Sequence, residues 1–123
     1  MTSPGWLAAV SCALLVLVVN AAILGVVSIA SNELGRNHAA GIRLPSLMRS
    51  EEAWRAGHLA ARKVMLPFLI AAAVVVVISI PTQLAPAIYV VLLGISLACT
   101  LAALGAGTLA ASRAARRVAP RAQ

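Results

Sequence analysis

The sequence predicts an all-α integral membrane protein with three transmembrane helices and a cytoplasmic interfacial segment between the first two. Two observations support this prediction. The 123 residues are 62% hydrophobic and only 11% charged, with a mean hydropathy of +0.98, far more apolar than an ordinary water-soluble domain. The charged residues are also absent from two long stretches, residues 6–30 and 64–112, whose lengths match membrane-crossing helices.

The first predicted span covers residues 6–30. A hydrocarbon layer about 30 Å thick is crossed by about 20 helical residues, and this uncharged stretch is long enough to cross it with a tilt. Residues 1–5 contain no Lys or Arg, whereas a secretory signal peptide begins with positive charge. We therefore expect this segment to be retained as a membrane span.

The second and third spans are predicted at residues 64–80 and 87–111, followed by a basic tail at 112–123. Between the two spans, the segment PTQLAP at 81–86 is a cluster of helix-breaking and polar residues, which favours a short turn. Pro67 lies one turn inside the second span. Its missing backbone donor can be tolerated at that position or can bend the helix.

The distribution of positive charge predicts the orientation. Six Lys or Arg residues fall in the central segment, residues 31–63, and four follow the third span. Under the positive-inside rule, the central segment and the C-terminus are predicted to be cytoplasmic, and the N-terminus and the turn to lie outside. Because the cations flank apolar spans, the net charge of +7 indicates membrane topology and no nucleic-acid partner.

Small residues recur at every fourth position of the third span. Helices approach each other closely where such residues form one face, so this pattern predicts a packing surface. We favour packing against the first or second span, with contact between copies in a homo-oligomer as the alternative. This small-residue row consists of Gly94, Ala98, Ala102 and Ala106 and continues to Ala110.

The spans contain little polar chemistry. They hold no Asp, Glu, Lys, Arg or His, so the buried ionisable group of a proton relay is missing and transport is the weakest hypothesis. Asn20 is the one strongly polar side chain deep in a span, and we expect it to hydrogen-bond to another helix. Cys12 and Cys99 have no neighbouring ligand residues, which predicts packing roles and no metal or other cofactor.

The central segment holds most of the polar residues. Ser50 followed by Glu51 and Glu52 is typical of a helix start, with a capping hydroxyl and acids near the positive end of the helix dipole. Trp54 and His58 lie one turn apart on the helix that follows, and therefore share a face.

Two interpretations of these residues are open. Trp54 at the entrance of a span is commonly an interfacial anchor, Arg43 commonly contacts lipid phosphate, and a single His such as His58 is commonly a packing residue. The alternative hypothesis is that Arg43 and the Trp54/His58 face form one surface that recognises a partner or a lipid headgroup. The segment has no nucleophile and base pair, no phosphate loop and no metal-ligand cluster, which argues against an enzyme.

The motifs of the central segment resemble a known signature. An N-x-x-x-G-I-R start, a Ser-Leu-Met-x-Ser middle and a W-x-x-G-H end are similar to the signature of the SdpI-type family, small bacterial membrane proteins named for a toxin-immunity factor. The resemblance covers residues 35–63, and the flanking spans agree only in hydrophobic pattern. The candidate binding residues in this segment are Asn37, Gly41, Arg43, Ser50, Trp54 and His58.

The resemblance implies a non-enzymatic protein of the bacterial cytoplasmic membrane that protects against a membrane-active toxin and signals to a cytoplasmic partner. Its partners would then be the lipid bilayer, a toxin or another membrane protein. The alternative is a small accessory subunit that packs on a larger membrane complex through the small-residue row. A subunit should co-purify with its complex at fixed stoichiometry, whereas an immunity protein should protect cells when it is expressed alone.

The charge distribution generates a topological prediction. A tag placed before Met1 should be accessible from outside the cell, and a tag placed after Gln123 should be accessible only from the cytoplasm. Accessibility to a membrane-impermeant label in intact and permeabilised cells measures both. An N-terminal tag that is labelled only after permeabilisation would contradict the three-span orientation.

Overall fold

The structure is a computed structural model and describes residues 2–32 and 41–118. Within that part of the chain it contains helices and no β-strand. The helices are α1 (Trp6–Asn32), α2 (Pro45–Met48), α3 (Glu51–Ser79) and α4 (Pro86–Arg117), with a 3-10 helix at Pro81–Leu84. Three of them, α1, α3 and α4, are long and apolar enough to cross a membrane. The predicted all-α membrane protein with three spans is therefore confirmed.

α3 contains both the second span and the charged residues that precede it. The Ser50 hydroxyl caps its first turn by accepting a hydrogen bond from the Ala53 amide at 3.0 Å, as the sequence predicts. The helix then continues through Pro67. A proline removes the helical donor for the carbonyl four residues earlier, which here belongs to Lys63. That carbonyl lies at the charged edge of the span, which explains why the helix tolerates the proline.

Gln83 closes the end of the bundle that carries no charged residues. It lies in the 3-10 helix between α3 and α4, and its side chain is buried. The side-chain oxygen accepts hydrogen bonds from the Gly5 amide at 3.1 Å and from the Ser3 hydroxyl. The residues that precede α1 are thereby attached to the turn between the other two spans.

α3 is the central helix of the bundle and packs against both α4 and α1. It approaches α4 so closely that a Cβ atom at Gly107 would overlap the Met65 side chain. The Ser96 hydroxyl of α4 donates to the Ala72 carbonyl oxygen of α3 at 2.7 Å. Since lipid provides no hydrophobic force between helices, close packing and hydrogen bonds of this kind hold the spans together.

α1 is joined to α4 by a buried side-chain hydrogen bond. The Thr100 hydroxyl donates to Asn20 Oδ1 at 2.8 Å, which confirms the interhelical bond predicted for Asn20. The Asn20 Nδ2 atom has no hydrogen-bond partner among the described residues. The bond lies near the middle of α1 and fixes the register of that helix against the other two.

The small-residue row does not form the interior face of α4. Gly94, Ala98 and Ala102 are exposed, and Ala106 and Ala110 are half-buried. The structure therefore differs from the predicted packing of this row inside the chain, and its contact with another copy remains a prediction. The interior face consists instead of Tyr89, Ser96, Thr100, Ala103, Gly107, Ala111 and Ala115.

Both faces of α4 carry small residues, and the polar groups explain which one is buried. The interior face contains the hydroxyls of Ser96 and Thr100, which find acceptors on α3 and α1. On the opposite face, which is turned toward lipid, these hydroxyls would lose those interhelical partners. The face that carries these two hydroxyls is therefore the one that α4 buries.

The two faces of α4 are distinguished by a matched pair of substitutions. Ala103→Leu should overpack the interior and lower the free energy of unfolding by about 1–3 kcal/mol, because Ala103 is fully buried. Ala102→Leu should have little effect in the monomer, since Ala102 is exposed. Thermal unfolding in mild detergent measures both variants, and equal losses would contradict the assignment of the faces.

Candidate functional site

The candidate binding residues that the structure describes lie at one end of the bundle, here called the basic end and defined as residues 41–63 and 107–118. The uncharged part of α3, residues 64–79, is about 24 Å long at about 1.5 Å per residue. A hydrocarbon layer of about 30 Å therefore extends to about residue 60. His58 lies about 32 Å along the helix from Ser79, outside the membrane-spanning part.

A segment called the strap, residues 41–50, crosses the basic end and contains α2. At Gly41 the backbone has a φ of +102°, a conformation that side chains other than glycine rarely adopt. A Cβ atom there would lie 2.7 Å from His58 Nε2 and 2.9 Å from the Trp54 ring. Gly41 is therefore required both by the backbone conformation and by the close approach of the two rings.

Leu47 fixes α2 against α3 and α4. Its side chain is fully buried, and a Cβ atom at Gly57 would lie 2.6 Å from Leu47 Cδ2 and 3.1 Å from the Ala111 carbonyl oxygen. Leu47 thus occupies the space that a side chain on residue 57 would need. The sequence pattern does not identify this contact, although a glycine inside a helix is a recognised signal of close packing.

Trp54 caps the C-terminal end of α1. Its indole Nε1 donates to the Ala30 carbonyl oxygen at 3.1 Å. Ala30 lies in the last turn of α1, where carbonyl groups have no donor within their own helix. The side chain is only 1% exposed, so the bond is shielded from water. Trp54 therefore joins α3 to α1.

His58 joins α3 to the strap. Its Nε2 accepts a hydrogen bond from the Ile42 amide at 2.8 Å, and its Nδ1 lies 2.8 Å from the Trp54 carbonyl oxygen. An amide can only donate, so Nε2 carries no proton and Nδ1 carries the single ring proton. The ring is 0% exposed, and its centroid lies 4.2 Å from that of Trp54. The geometry therefore requires the neutral imidazole.

Arg49 joins the strap to α4. Its Nη2 donates to the Ala115 carbonyl oxygen at 2.8 Å and to the Val118 carbonyl oxygen at 2.6 Å. Both carbonyls lie at the C-terminal end of α4, where a cation is also favoured by the helix dipole. The sequence does not predict this role, because the partners are 66 and 69 residues away in the chain. No local pattern signals such a contact.

These contacts form one unit, called the clamp and defined by Gly41, Leu47, Arg49, Trp54 and His58. Through it the strap and the ends of α1, α3 and α4 are held together. Three of the candidate binding residues, Gly41, Trp54 and His58, contact one another within the clamp. Ser50 caps α3, Arg43 lies exposed on the strap, and Asn37 lies outside the described residues.

The structure differs from the hypothesis of a common surface formed by Arg43, Trp54 and His58. Both rings are buried, whereas Arg43 is exposed. The physical reason is that the indole N–H and the imidazole nitrogens find partners in the backbones of α1, α3 and the strap, so the strap covers the rings. Arg43 alone of these three residues is accessible to a partner.

The clamp uses its polar atoms to bind backbone groups. The indole and the guanidinium donate to carbonyls at helix ends, and the imidazole accepts from an amide. Within residues 2–32 and 41–118, no group of three His, Cys, Asp or Glu side chains is placed to hold a metal ion. The arrangement stabilises the packing of the helix ends.

The close approach at Gly41 is tested against a second glycine with the same backbone requirement. Gly5 also has a positive φ, +89°, but a Cβ atom there meets nothing within 4 Å. Gly5→Ala should therefore cost only the backbone strain, about 1 kcal/mol. Gly41→Ala should lower the free energy of unfolding by about 1–3 kcal/mol more, because the added methyl group displaces Trp54 and His58. Equal thermal stabilities of the two variants in detergent would refute the contact.

His58 predicts a pH dependence of stability. Burial lowers the pKa of His58 from its ordinary value of 6.5, and the smaller effect of the bond to the Trp54 carbonyl opposes this. A lowered pKa in the folded state means that the stabilisation is complete above 6.5 and is lost as the pH falls below that value toward the folded pKa.

We therefore expect the melting temperature of the protein to fall between about pH 7.5 and about pH 5.5. His58→Gln should remove this dependence, whatever its effect on the absolute melting temperature. A variant that retains the full pH dependence would show that the titrating group is not His58.

Comparison with known proteins agrees with the signature found in the sequence. The model of the SdpI/YfhL protein family matches residues 33–109, which is more than half of the chain. The match includes the strap, all of α3 and most of α4. No curated protein and no solved structure shows significant similarity to the chain. The five clamp residues thus lie in the matched region, whereas α1 precedes it. The chain belongs to the SdpI/YfhL family.

Proposed function

We propose that this protein is a non-enzymatic immunity protein of the bacterial cytoplasmic membrane that protects the cell against a membrane-active toxin. The observation that supports this most is the family match over residues 33–109. The clamp adds to it, because Gly41, Trp54 and His58 of the signature contact one another there. In the proposed orientation the N-terminus and the 3-10 helix lie outside the cell, and the basic end lies in the cytoplasm.

The fold suggests how such a protein acts. Gln83 joins the three spans at one end, and the clamp joins them at the other. A change at the outer end, such as toxin contact, is therefore transmitted through packed helices to the basic end. There the exposed Arg43 is placed to contact a cytoplasmic partner, which is the signalling step of the proposal.

A second candidate function is supported by the small-residue row. Because Gly94, Ala98 and Ala102 are exposed on the outer face of α4, a helix of another protein can approach closely there. This placement favours an accessory subunit of a larger membrane complex as the alternative to an immunity protein.

The experiment that separates the two functions uses the source bacterium with its gene deleted. Expression of the protein alone should restore survival and membrane potential when cells are exposed to peptide toxins secreted by that bacterium and its competitors. If the protein is an immunity protein, purification in mild detergent should recover it with no other protein bound at a fixed stoichiometry. A fixed partner together with no protection would favour the accessory subunit.

Variants at Arg43 test the role of the accessible residue. Arg43→Ala should leave the amount of protein in the membrane unchanged, because the side chain is exposed, and should reduce protection. If Arg43 makes a planar two-point contact, Arg43→Lys should fail in the same way, since an ammonium group cannot replace the guanidinium. Trp54→Ala is the contrasting variant, expected to lower the protein level itself. Full protection by Arg43→Ala would exclude this residue from partner contact.

A further inference from the structure

The outer face of α3 changes from apolar to cationic as the helix leaves the membrane. Arg55, Leu59, Arg62 and Leu66 are three or four residues apart and therefore form one row, with Lys63 beside it. All five side chains are exposed, Leu59 to 39%. The row thus combines apolar contact area with positive charge at the membrane boundary.

The outer face of α4 carries a second row of the same kind. Leu109 is 52% exposed and is followed after four, seven and eight residues by Arg113, Arg116 and Arg117, which are all exposed. Both rows begin on the lipid-facing surface of a span and continue without interruption into cationic side chains.

The two rows lie at the same depth. α3 and α4 are antiparallel neighbours, with Gly57 beside Ala111 and Met65 beside Gly107. Arg55 is therefore level with Arg113. At about 1.5 Å per residue, Arg62 lies about 26 Å and Arg55 about 36 Å from Ser79. With a hydrocarbon layer of about 30 Å, the cations span the edge of that layer and the headgroup region.

The six cations of these rows are not neutralised within the part of the chain that the structure describes. None of them forms an ion pair there, whereas Arg49 is used inside the clamp. The two carboxylates of that part, Glu51 and Glu52, lie at the first turn of α3, the end of this helix farthest from the span. The two carboxylates lie one turn beyond Arg55 on the side away from the span, so the part of each row nearest the membrane carries only positive charge.

We propose that the two rows bind anionic phospholipids, with the phosphate groups held by the cations and the acyl chains lying against the leucines. The continuity of each row with the lipid-facing surface favours a lipid over a soluble acidic protein, which would not contact the leucines nearest the span. Lys and Arg near a membrane surface each strengthen the attraction to anionic lipid about fivefold. This surface is separate from Arg43 and from the proposed immunity function.

The test uses the full chain in nanodiscs of phosphatidylcholine with and without phosphatidylglycerol. Binding is measured with spin-labelled forms of both lipids, and thermal unfolding is measured in the same samples. We expect a preference for phosphatidylglycerol that decreases at high salt, and a higher melting temperature when that lipid is present. Soluble glycerol 3-phosphate should not compete, since it lacks the acyl chains.

The variants separate charge from structure. The triple variant Arg55→Gln, Arg62→Gln, Arg113→Gln should lose most of the preference, on the order of 100-fold for three cations. The matched triple Arg→Lys variant at the same positions should retain it. Equal association of both lipids with the wild-type protein, or an unchanged preference in the folded Gln variant, would overturn the proposal. If the Gln variant fails to fold, the wild-type comparison decides alone.

Discussion

Trp54 lies where α1, α3 and the strap meet, and its indole N–H closes the end of α1 by donating to the Ala30 carbonyl oxygen. The neighbouring contacts depend on its position. The His58 ring lies against the indole at a tilt of 44° and accepts a hydrogen bond from the Ile42 amide. Gly41 leaves room for both rings. A buried polar group without a partner is costly, so the bond between Ile42 and His58 also keeps the strap on the bundle. Three residues of the signature, Gly41, Trp54 and His58, thus contact one another in this chain.

The membrane explains why the helices need such contacts. Helices in lipid gain little from burying apolar surface against each other, and their association relies on close packing and hydrogen bonds worth about 0.6–2 kcal/mol each. The bundle distributes these contacts along its length: Gln83 at one end, the Asn20–Thr100 bond in the middle, and Trp54 and Arg49 at the other end. Three helices that share contacts at every depth form one packed unit, which the proposed signalling role requires.

The sequence predicts the features that depend on local composition. Uncharged length identifies the three spans, Ser50 with its acids identifies the start of α3, and a single amide in a span predicts the Asn20 bond. Local sequence does not predict which of the two faces of α4 that carry small residues is buried. That depends on the hydroxyls of Ser96 and Thr100 finding acceptors on other helices. The same limit applies at the basic end. Trp54 and Arg49 bond to carbonyls that are distant in the chain. Their residue types therefore predict only a position at the membrane boundary, and the fold is needed to identify the helix ends to which they bond.

The burial of Trp54 is the most direct measurable consequence of the clamp. Trp6→Phe leaves Trp54 as the single tryptophan, and Trp54→Phe leaves Trp6, which is 53% exposed on the outside of α1. In vesicles, brominated lipids should quench the fluorescence of Trp6, whereas neither brominated lipids nor aqueous acrylamide should quench that of Trp54. Strong quenching of Trp54 by acrylamide would place it on a water-facing surface and contradict the clamp.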